Sequence, residues 1–335
     1  MCGIFFLKSK HNISDLQKSI CFDAIKALNH RGPDNSKIIF KDKFAIGHNR
    51  LSIIDLSQRS NQPLISNIFN TLFVINGEIV NYKNLANKYK INQEDYGSDS
   101  DLVFKLFNKF GIHKIINELE GMFAGIYIDQ KTNITYIFRD RFGIKPIFYL
   151  KTNKFIVFAS EINAILPFMR EKKQNISIVR DFIIDGNIDH TSSTFFKDIK
   201  QLNSGNLFEL DINTDNLKKS RWWHIKFEDI NHKVNFESAS EELLFILKEL
   251  LEQYFISDVA IAINLSEGID SSLLAYLSQS IGKKPYSYTI TYGLENLDKF
   301  YNIQGIELKR KFIDFNHNLF IQNAKDVIRH QGQPF

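Results

Sequence analysis

Cysteine and long apolar runs are what this sequence has least of. Only Cys2 and Cys21 occur among 335 residues, too few for a disulfide framework, so we expect a reducing cytoplasm. No apolar stretch approaches the roughly 18 residues of a membrane span. The first residues also lack the basic flank and the cleavage site of a signal peptide. The net charge of +4 is small and the basic residues form no run, which argues against a nucleic-acid or membrane surface.

The composition is that of a folded globular protein. Hydrophobic residues make up 44% of the chain and charged residues 24%, which excludes a disordered chain. Because single cores rarely grow beyond about 250 residues, the length favours two domains. We predict a first domain over residues 2–190, a junction over 191–235 and a second domain over 236–335.

The first domain has the pattern of an α+β fold with antiparallel sheets. Apolar residues at helical spacing predict helices over 13–28 and 100–111, and Cys21 is expected to be an inert core residue of the first helix. Between and after these helices, β-branched and aromatic residues alternate with polar ones in short runs separated by Gly, Asn and Asp. The predicted strands are 37–40, 44–56, 71–79, 123–129, 134–141, 147–150 and 154–160.

The second domain has the pattern of a parallel α/β fold. Residues 238–255 form a strongly amphipathic segment with a Ser- and Glu-rich start, which predicts a helix. An apolar strand at 259–265, a turn, a helix at 271–282 and a second strand at 286–291 follow. Strand–turn–helix–strand is the order of parallel α/β units.

Cys2 directly follows the initiator methionine. If Met1 is removed, one residue carries both a thiol and a free α-amine, whose ordinary pKa values are roughly 8.5 and 7.7–8.0. The amine can take the proton of the thiol and later return it to a leaving group, so that one residue supplies nucleophile and base. A Met-Cys start alone is weak evidence, since a cysteine without function at this position is equally compatible with it.

Eight motifs strengthen the case for a reactive Cys2. They are "HRGPDNS" (30–36), "GHNRLSIIDLS" (47–57), "NQPL" (61–64), "NGEIVNY" (76–82), "GSDSD" (97–101), "LEGMFAGIYID" (119–129), "RDRFGIKPIFY" (139–149) and "ASEI" (159–162). From residue 2 to about 165 the sequence resembles the class II, N-terminal-nucleophile glutamine amidotransferases. Within them "RGPD" and "RDRFGIKPIFY" make it most similar to the glutamine-hydrolysing asparagine synthetases. The resemblance implies a four-layer (αββα) N-terminal-nucleophile amidotransferase domain, followed by a partial α/β ATP-pyrophosphatase domain of the adenine nucleotide α-hydrolase-like class.

The same resemblance implies a glutamine site. Its catalytic residues would be Cys2 as the nucleophile, with the Asn76 side chain and the Gly77 backbone N–H as oxyanion donors. The glutamine-binding residues would be Arg50, Leu51, Ser52, Ile53, Ile54, Asn76, Gly77, Glu78 and Asp99. Arg50 would bind the substrate carboxylate, and the two acidic residues would hold its ammonium group. Taken singly, any of these residues is also explained by a surface salt bridge or a turn, and Asp99 by a helix cap.

"LSEGIDSS" (265–272) follows a strand and opens a helix, the context of an anion site at a helix N-terminus. It resembles the pyrophosphate loop of ATP pyrophosphatases, except that Glu267 replaces the first glycine. A carboxylate at that place would repel phosphates unless it points away or contacts magnesium. The resemblance implies ATP and Mg²⁺ as cofactors, with no dedicated metal-ligand set. The implied nucleotide residues are Leu265, Ser266, Gly268, Asp270, Ser271, Ser272 and Ile290.

By resemblance, the chain ends at Phe335 before the segment that completes the acceptor site. We therefore expect glutaminase chemistry, with ammonia passed on to amidate an ATP-activated carboxylate, either aspartate or a sugar uronic acid. Alternatives are a glutaminase subunit serving a partner that supplies the missing segment, a homodimer, and a non-catalytic remnant that binds glutamine or nucleotide. No nucleic-acid or membrane partner is expected.

Overall fold

The computed structural model describes residues 1–225, 234–266, 268–292, 308 and 310–334. The chain divides into two compact units. The first comprises residues 1–225 together with 325–335, and the second comprises residues 226–324. No helix of the described residues is long and apolar enough to cross a membrane.

The first unit contains two six-stranded antiparallel sheets. The first sheet has Cys2 immediately before one of its central strands, β1. In spatial order its strands are β10 (Ile199–Gln201), β8 (Phe148–Lys151), β9 (Phe155–Ala159), β1 (Gly3–Ser9), β3 (Phe44–Arg50) and β2 (Asn35–Phe40). The second sheet contains β12 (Leu217–Arg221), β11 (Asn206–Asp211), β7 (Ile134–Arg139), β6 (Gly121–Asp129), β5 (Thr71–Ile79) and β4 (Leu64–Ser66).

The main core lies between the two sheets. Successive side chains of a strand point to opposite faces, so Ile4 and Phe6 of β1 join a cluster that includes Leu72 of the second sheet. Phe5 and Leu7 point to the other face and pack in a cluster with residues of the first helix. Both faces of β1 are therefore apolar, and the strand is buried along its whole length.

Helices cover the outer faces of both sheets. On the first sheet, α1 (Asp15–Ala27) begins with a capping box between Ser14 and Gln17 and buries Cys21, as expected. On the second sheet, α3 (Asp99–Phe110) contributes Phe104 and Phe107, whose rings lie 5.7 Å from that of Phe73 in β5. The shorter helices of this unit are α2 (Tyr82–Lys88), α4 (Ile112–Ile115) and α5 (Ile176–Asp185). The order of layers in this unit is therefore helix, sheet, sheet, helix.

The structure differs from the sequence prediction in several places. Strands β1 and β4 and helices α2, α4 and α5 were not predicted. The strand predicted over 44–56 ends at Arg50, because the Arg50 guanidinium binds carbonyl groups of the following residues and turns the chain into a loop. Strands β10, β11 and β12 lie within 191–235, the predicted junction. Their apolar side chains, such as Leu207 and Leu210, are buried, so these strands belong to the two sheets. The remaining domain boundaries stay a prediction.

The second unit contains a small parallel sheet. Strands β13 (Ala262–Asn264), β14 (Tyr286–Thr291) and β15 (Arg310–Asp314) pair in this order, and both pairings are parallel. Helix α6 (Phe236–Tyr254) precedes β13, α7 (Ile269–Ser280) connects β13 to β14, and α8 (His317–Gln331) follows β15. This is the predicted strand–helix–strand order. Its identity as an ATP-pyrophosphatase domain stays a prediction.

Candidate active site

A cleft in the first unit opens beside Cys2. It lies where the start of β1, the end of β3, the middle of β5 and the start of α3 come together. The lining residues are Met1, Cys2, Arg50, Leu51, Ile53, Ile54, Ser60, Gln62, Ile75, Asn76, Gly77, Glu78, Ser98, Asp99, Ser100 and Lys145. Every residue of the predicted glutamine site except Ser52 is among them.

The Cys2 thiol is partly buried and has a backbone donor. The N–H of Leu51 lies 3.4 Å from the Cys2 Sγ, and the carbonyl oxygen of the same residue lies 3.7 Å away. Burial raises the pKa of the Cys2 thiol, whereas the Leu51 hydrogen bond and the positive N-terminus act in the opposite direction. The Arg31 Nε donates to the Cys2 carbonyl oxygen at 2.9 Å and so fixes the backbone of Cys2.

Asn76 carries a buried amide without a partner. Its side chain is 1% exposed, and neither its Nδ2 nor its Oδ1 has a hydrogen-bond partner among the described residues. Leaving such a group unsatisfied costs about 1–3 kcal/mol. The adjacent Gly77 allows close backbone approach, since an added Cβ would lie 2.1 Å from the Met122 oxygen of β6. The amide thus has donor and acceptor capacity available for a ligand in the cleft.

The carboxylates of Glu78 and Asp99 line the same cleft. Asp99 is 5% exposed. Its Oδ2 accepts from the Ile79 N–H at 2.9 Å and its Oδ1 from the Ser100 N–H at 2.7 Å. Burial, with a smaller contribution from the nearby Glu78, raises the pKa of Asp99 to about 6 despite these hydrogen bonds. The cap of α3 is Ser98 rather than Asp99, so the helix-cap interpretation of Asp99 is wrong.

Arg50 is oriented by the loop that follows it. Its Nη1 donates to the Ser57 carbonyl at 2.7 Å and to the Asn61 Oδ1 at 2.8 Å. Its Nη2 donates to the carbonyl oxygens of Ile54 and Asp55. The guanidinium therefore organises the wall of the cleft as well as lining it. Its predicted binding to a substrate carboxylate stays a prediction.

Ser52 is the one predicted glutamine residue that does not line the cleft. Its N–H donates to the Asp34 Oδ2 at 2.7 Å, which ties the loop after β3 to the "RGPD" motif. Arg31 of the same motif donates to Glu161 Oε1 at 2.7 Å. Arg31, Glu161 and Lys145 were not predicted as site residues. The motifs "RGPD", "ASEI" and "RDRFGIKP" that contain them are the sequence signal for their place in the site.

The predicted nucleotide loop in the second unit is held by serine hydroxyls. Ser266 Oγ and Ser271 Oγ lie 2.8 Å apart, and the Gly268 N–H donates to Ser266 Oγ at 3.2 Å. Helix α7 has Gly268 at its N-cap without a side-chain cap, so its first N–H groups have no side-chain acceptor there. This end fits an anionic group such as a phosphate. Glu267 lies outside the described residues, as does Phe335.

The other predicted nucleotide residues are dispersed. Leu265 is buried after β13, where its N–H donates to the Tyr288 carbonyl at 2.8 Å, whereas Ile290 in β14 is exposed. Asp270 lies in the first turn of α7 rather than at its cap. Within the described ranges, no three His, Cys, Asp or Glu side chains are grouped to hold a metal ion.

Residues 1–223 match the glutamine amidotransferase domain family, and the chain belongs to that family. The resemblance to class II amidotransferases, and to glutamine-hydrolysing asparagine synthetases among them, is confirmed.

Curated relatives give this family a narrower context. A putative glutamine-hydrolysing asparagine synthetase 2 of Methanocaldococcus jannaschii is 30% identical over 97% of this chain and 66% of its own. The glutamine-hydrolysing asparagine synthetase 2 of Bacillus subtilis is 29% identical over 75% of this chain and 35% of its own. The amidase chyE of Penicillium rubens is 30% identical over 80% of this chain and 39% of its own. The chain thus spans about a third to two thirds of the length of these relatives.

Proposed function

We propose that the first unit hydrolyses glutamine to glutamate and ammonia at Cys2. The observation that carries this proposal is the buried, unpartnered Asn76 amide, which lines the same cleft as the Cys2 thiol. An orphaned donor is of little use to the fold, but it is suited to an oxygen that becomes negatively charged during a reaction.

The chemistry follows from the groups in the cleft. Once Met1 is removed, the α-amine of Cys2 takes the thiol proton, and the thiolate attacks the side-chain carbonyl carbon of glutamine. The Asn76 Nδ2 and the Gly77 N–H donate to the oxyanion of the tetrahedral intermediate. As the carbon–nitrogen bond breaks, the α-ammonium returns the proton and ammonia leaves. Water then cleaves the γ-glutamyl thioester, which releases glutamate and regenerates the thiol.

The ends of glutamine are bound by opposite charges. Glu78 and Asp99 face its ammonium group, and the Arg50 guanidinium faces its carboxylate. The backbone of 50–54, shaped by the Arg50 and Asp34 hydrogen bonds, completes the pocket. This distribution of charge selects a free α-amino acid over a neutral amide.

We further infer that the ammonia amidates a carboxylate that ATP has activated, which makes the whole protein a carbon–nitrogen ligase. The relatives named asparagine synthetases support aspartate as the acceptor. Because another relative is named an amidase, a different carboxylate, such as a sugar uronic acid, is the alternative acceptor. The uncapped start of α7, with Ser271 and Ser272, would hold the phosphates. Asp270 would approach an accompanying Mg²⁺. Association with a second copy of this chain or with a partner protein belongs to the same proposal.

Glutamate release from glutamine tests the first half of this proposal. We expect release by the wild type and by Cys21→Ala, whose cysteine is buried in the core, and none by Cys2→Ala. A glutamine-mimicking diazoketone should label Cys2 and not Cys21. Equal release by Cys2→Ala, or labelling of Cys21 alone, would exclude the mechanism.

Pyrophosphate exchange tests the second half. Incorporation of labelled pyrophosphate into ATP should depend on the acceptor, so aspartate and uronic acids are compared on this chain and on the longest product of its gene. Exchange that no carboxylate stimulates in either protein would contradict ATP-dependent amidation and leave the glutaminase proposal standing.

A further inference from the structure

Lys145 is a buried cation in the cleft that takes no part in the proposed glutaminase mechanism. Its side chain is 8% exposed and lines the cleft together with Cys2, Asn76 and Glu78. Among the residues that the structure describes, no hydrogen bond or ion pair of its ammonium group is found. A lysine in such a place is unusual, since buried lysines are normally paired.

The loop that carries Lys145 is built around one carboxylate. Asp140 is fully buried, and its two oxygens accept the N–H groups of Phe142, Ile144 and Lys145, each at 3.0 Å. Arg139 completes the loop, because its Nε donates to the Lys145 carbonyl oxygen at 2.8 Å. The backbone of Lys145 is therefore fixed from both sides, and its side chain enters the cleft from a rigid support.

The charges around Lys145 are mixed. Burial lowers the pKa of its ammonium group, and Glu78 is the largest opposing influence. Arg31 repels it, whereas Asp140 and the thiolate form of Cys2 attract it. The interactions with Glu78 and Cys2 link the lysine directly to groups of the reaction centre.

The thiolate of Cys2 faces charges from every side of the cleft. The N-terminal amine and Arg50 favour it, whereas Asp99 opposes it. Arg31 donates to the carbonyl oxygen of Cys2 and is in turn paired with Glu161. The guanidinium groups of Arg31 and Arg50 bind protein oxygens, whereas the ammonium of Lys145 binds none among the described residues.

We propose that Lys145 is a positioning residue that stabilises the thiolate of Cys2. The catalytic benefit of this role rests on the proposed glutaminase function, whereas its test measures the reactivity of the Cys2 thiol and needs no glutamine hydrolysis. A positive charge close to a thiol favours the deprotonated, nucleophilic form. Glu78 lines the same cleft and attracts the Lys145 ammonium without an ion pair among the described residues, so its carboxylate remains available to the ammonium group of a substrate.

The test is the pH dependence of Cys2 alkylation by iodoacetamide, followed by mass spectrometry of the N-terminal peptide so that Cys21 does not contribute. We expect Lys145→Met to raise the apparent pKa of Cys2 by about one unit, which slows alkylation about tenfold below that pKa. Lys145→Arg retains the charge and should keep the wild-type profile. Lys145→Gln, which is neutral and polar, should behave like Lys145→Met.

Each outcome of this test either supports or overturns the proposed role of Lys145. An unchanged alkylation profile in folded Lys145→Met and Lys145→Gln overturns the proposal. Loss of folded protein in both variants overturns it as well, because replacing an unpaired buried charge by methionine should be neutral or stabilising. If the wild type fails to hydrolyse glutamine while the profile shifts, the glutaminase proposal fails and the role of Lys145 stands.

Discussion

Asn76→Leu separates what the amide contributes to catalysis from its effect on the fold. Leucine has nearly the shape of asparagine but no polar atoms. Removal of one oxyanion donor lowers kcat by about 10²–10³, which corresponds to about 2.7–4 kcal/mol of transition-state stabilisation. Because Asn76 Nδ2 and Oδ1 are buried without partners, the substitution also removes an unsatisfied group that costs about 1–3 kcal/mol. We therefore expect kcat to fall while the free energy of unfolding rises.

Two assays and one control make this prediction specific. Glutamate release gives kcat and KM, and we expect KM to change little because the donor acts in the transition state. Urea unfolding gives the stability. Gln62→Leu is the matched control: its Oε1 accepts the Ile75 N–H at 2.7 Å, so this variant should lose about 1–3 kcal/mol of stability. A less stable Asn76→Leu with wild-type kcat would refute the reasoning, since the amide would then serve the fold.

Three further predictions concern pH and packing. The pKa of Asp99 is raised to about 6, so its carboxylate becomes neutral below that pH. The KM for glutamine should therefore rise as the pH falls through 6. The variant Asp99→Asn should show a high KM that is independent of pH. His48 is fully buried, and burial lowers its pKa to about 3. Its contribution to stability is therefore complete above pH 6.5 and is lost as the pH falls toward 3, by about 2 kcal/mol between pH 6.5 and 4.5. Urea unfolding should show this loss in the wild type and in the exposed-site variant His113→Gln but not in His48→Gln. Gly77→Ala places a Cβ 2.1 Å from a carbonyl oxygen and should abolish glutamate release. In the control Gly111→Ala the added Cβ meets no atom within 4 Å, so this variant should only lose about 1 kcal/mol of stability through its positive φ. A fully active Gly77→Ala would contradict the tight approach of β5 and β6.

Local patterns predicted the two longest helices of the first unit, α1 and α3, because the signal for a helix lies within the helix, whereas the shorter α2, α4 and α5 were not predicted. The apolar spacing of 13–28 and 100–111 predicted α1 and α3 within a few residues of their observed bounds. The loop after Arg50 could not be predicted in this way. Its residues have strand propensity, and what bends them is a guanidinium whose acceptors become apparent only in three dimensions.

The site shows the same division between local and long-range information. The resemblance indicated which side chains meet in the cleft, and the structure brings all of them except Ser52 to its wall. Lys145 was not singled out, because its significance depends on the absence of a partner and on a loop wound around Asp140. No sequence pattern reports whether a buried charge is paired.

The register of the first sheet is what brings Cys2 to its neighbours in the cleft. Strands β1 and β3 are antiparallel, and Gly3 pairs with Asn49, so the residue before β1 lies beside the residues that end β3. Cys2 therefore meets Leu51, whose N–H contacts its sulfur. A slip of one residue would exchange the faces of β1 and turn Ile4 and Phe6 away from the core between the sheets. Because both faces of β1 are apolar and tightly packed, such a slip would also replace well-fitted side chains on both faces at once. The burial of a strand whose residues 4–7 are all apolar thus fixes the position of Cys2, which itself contributes little to the core.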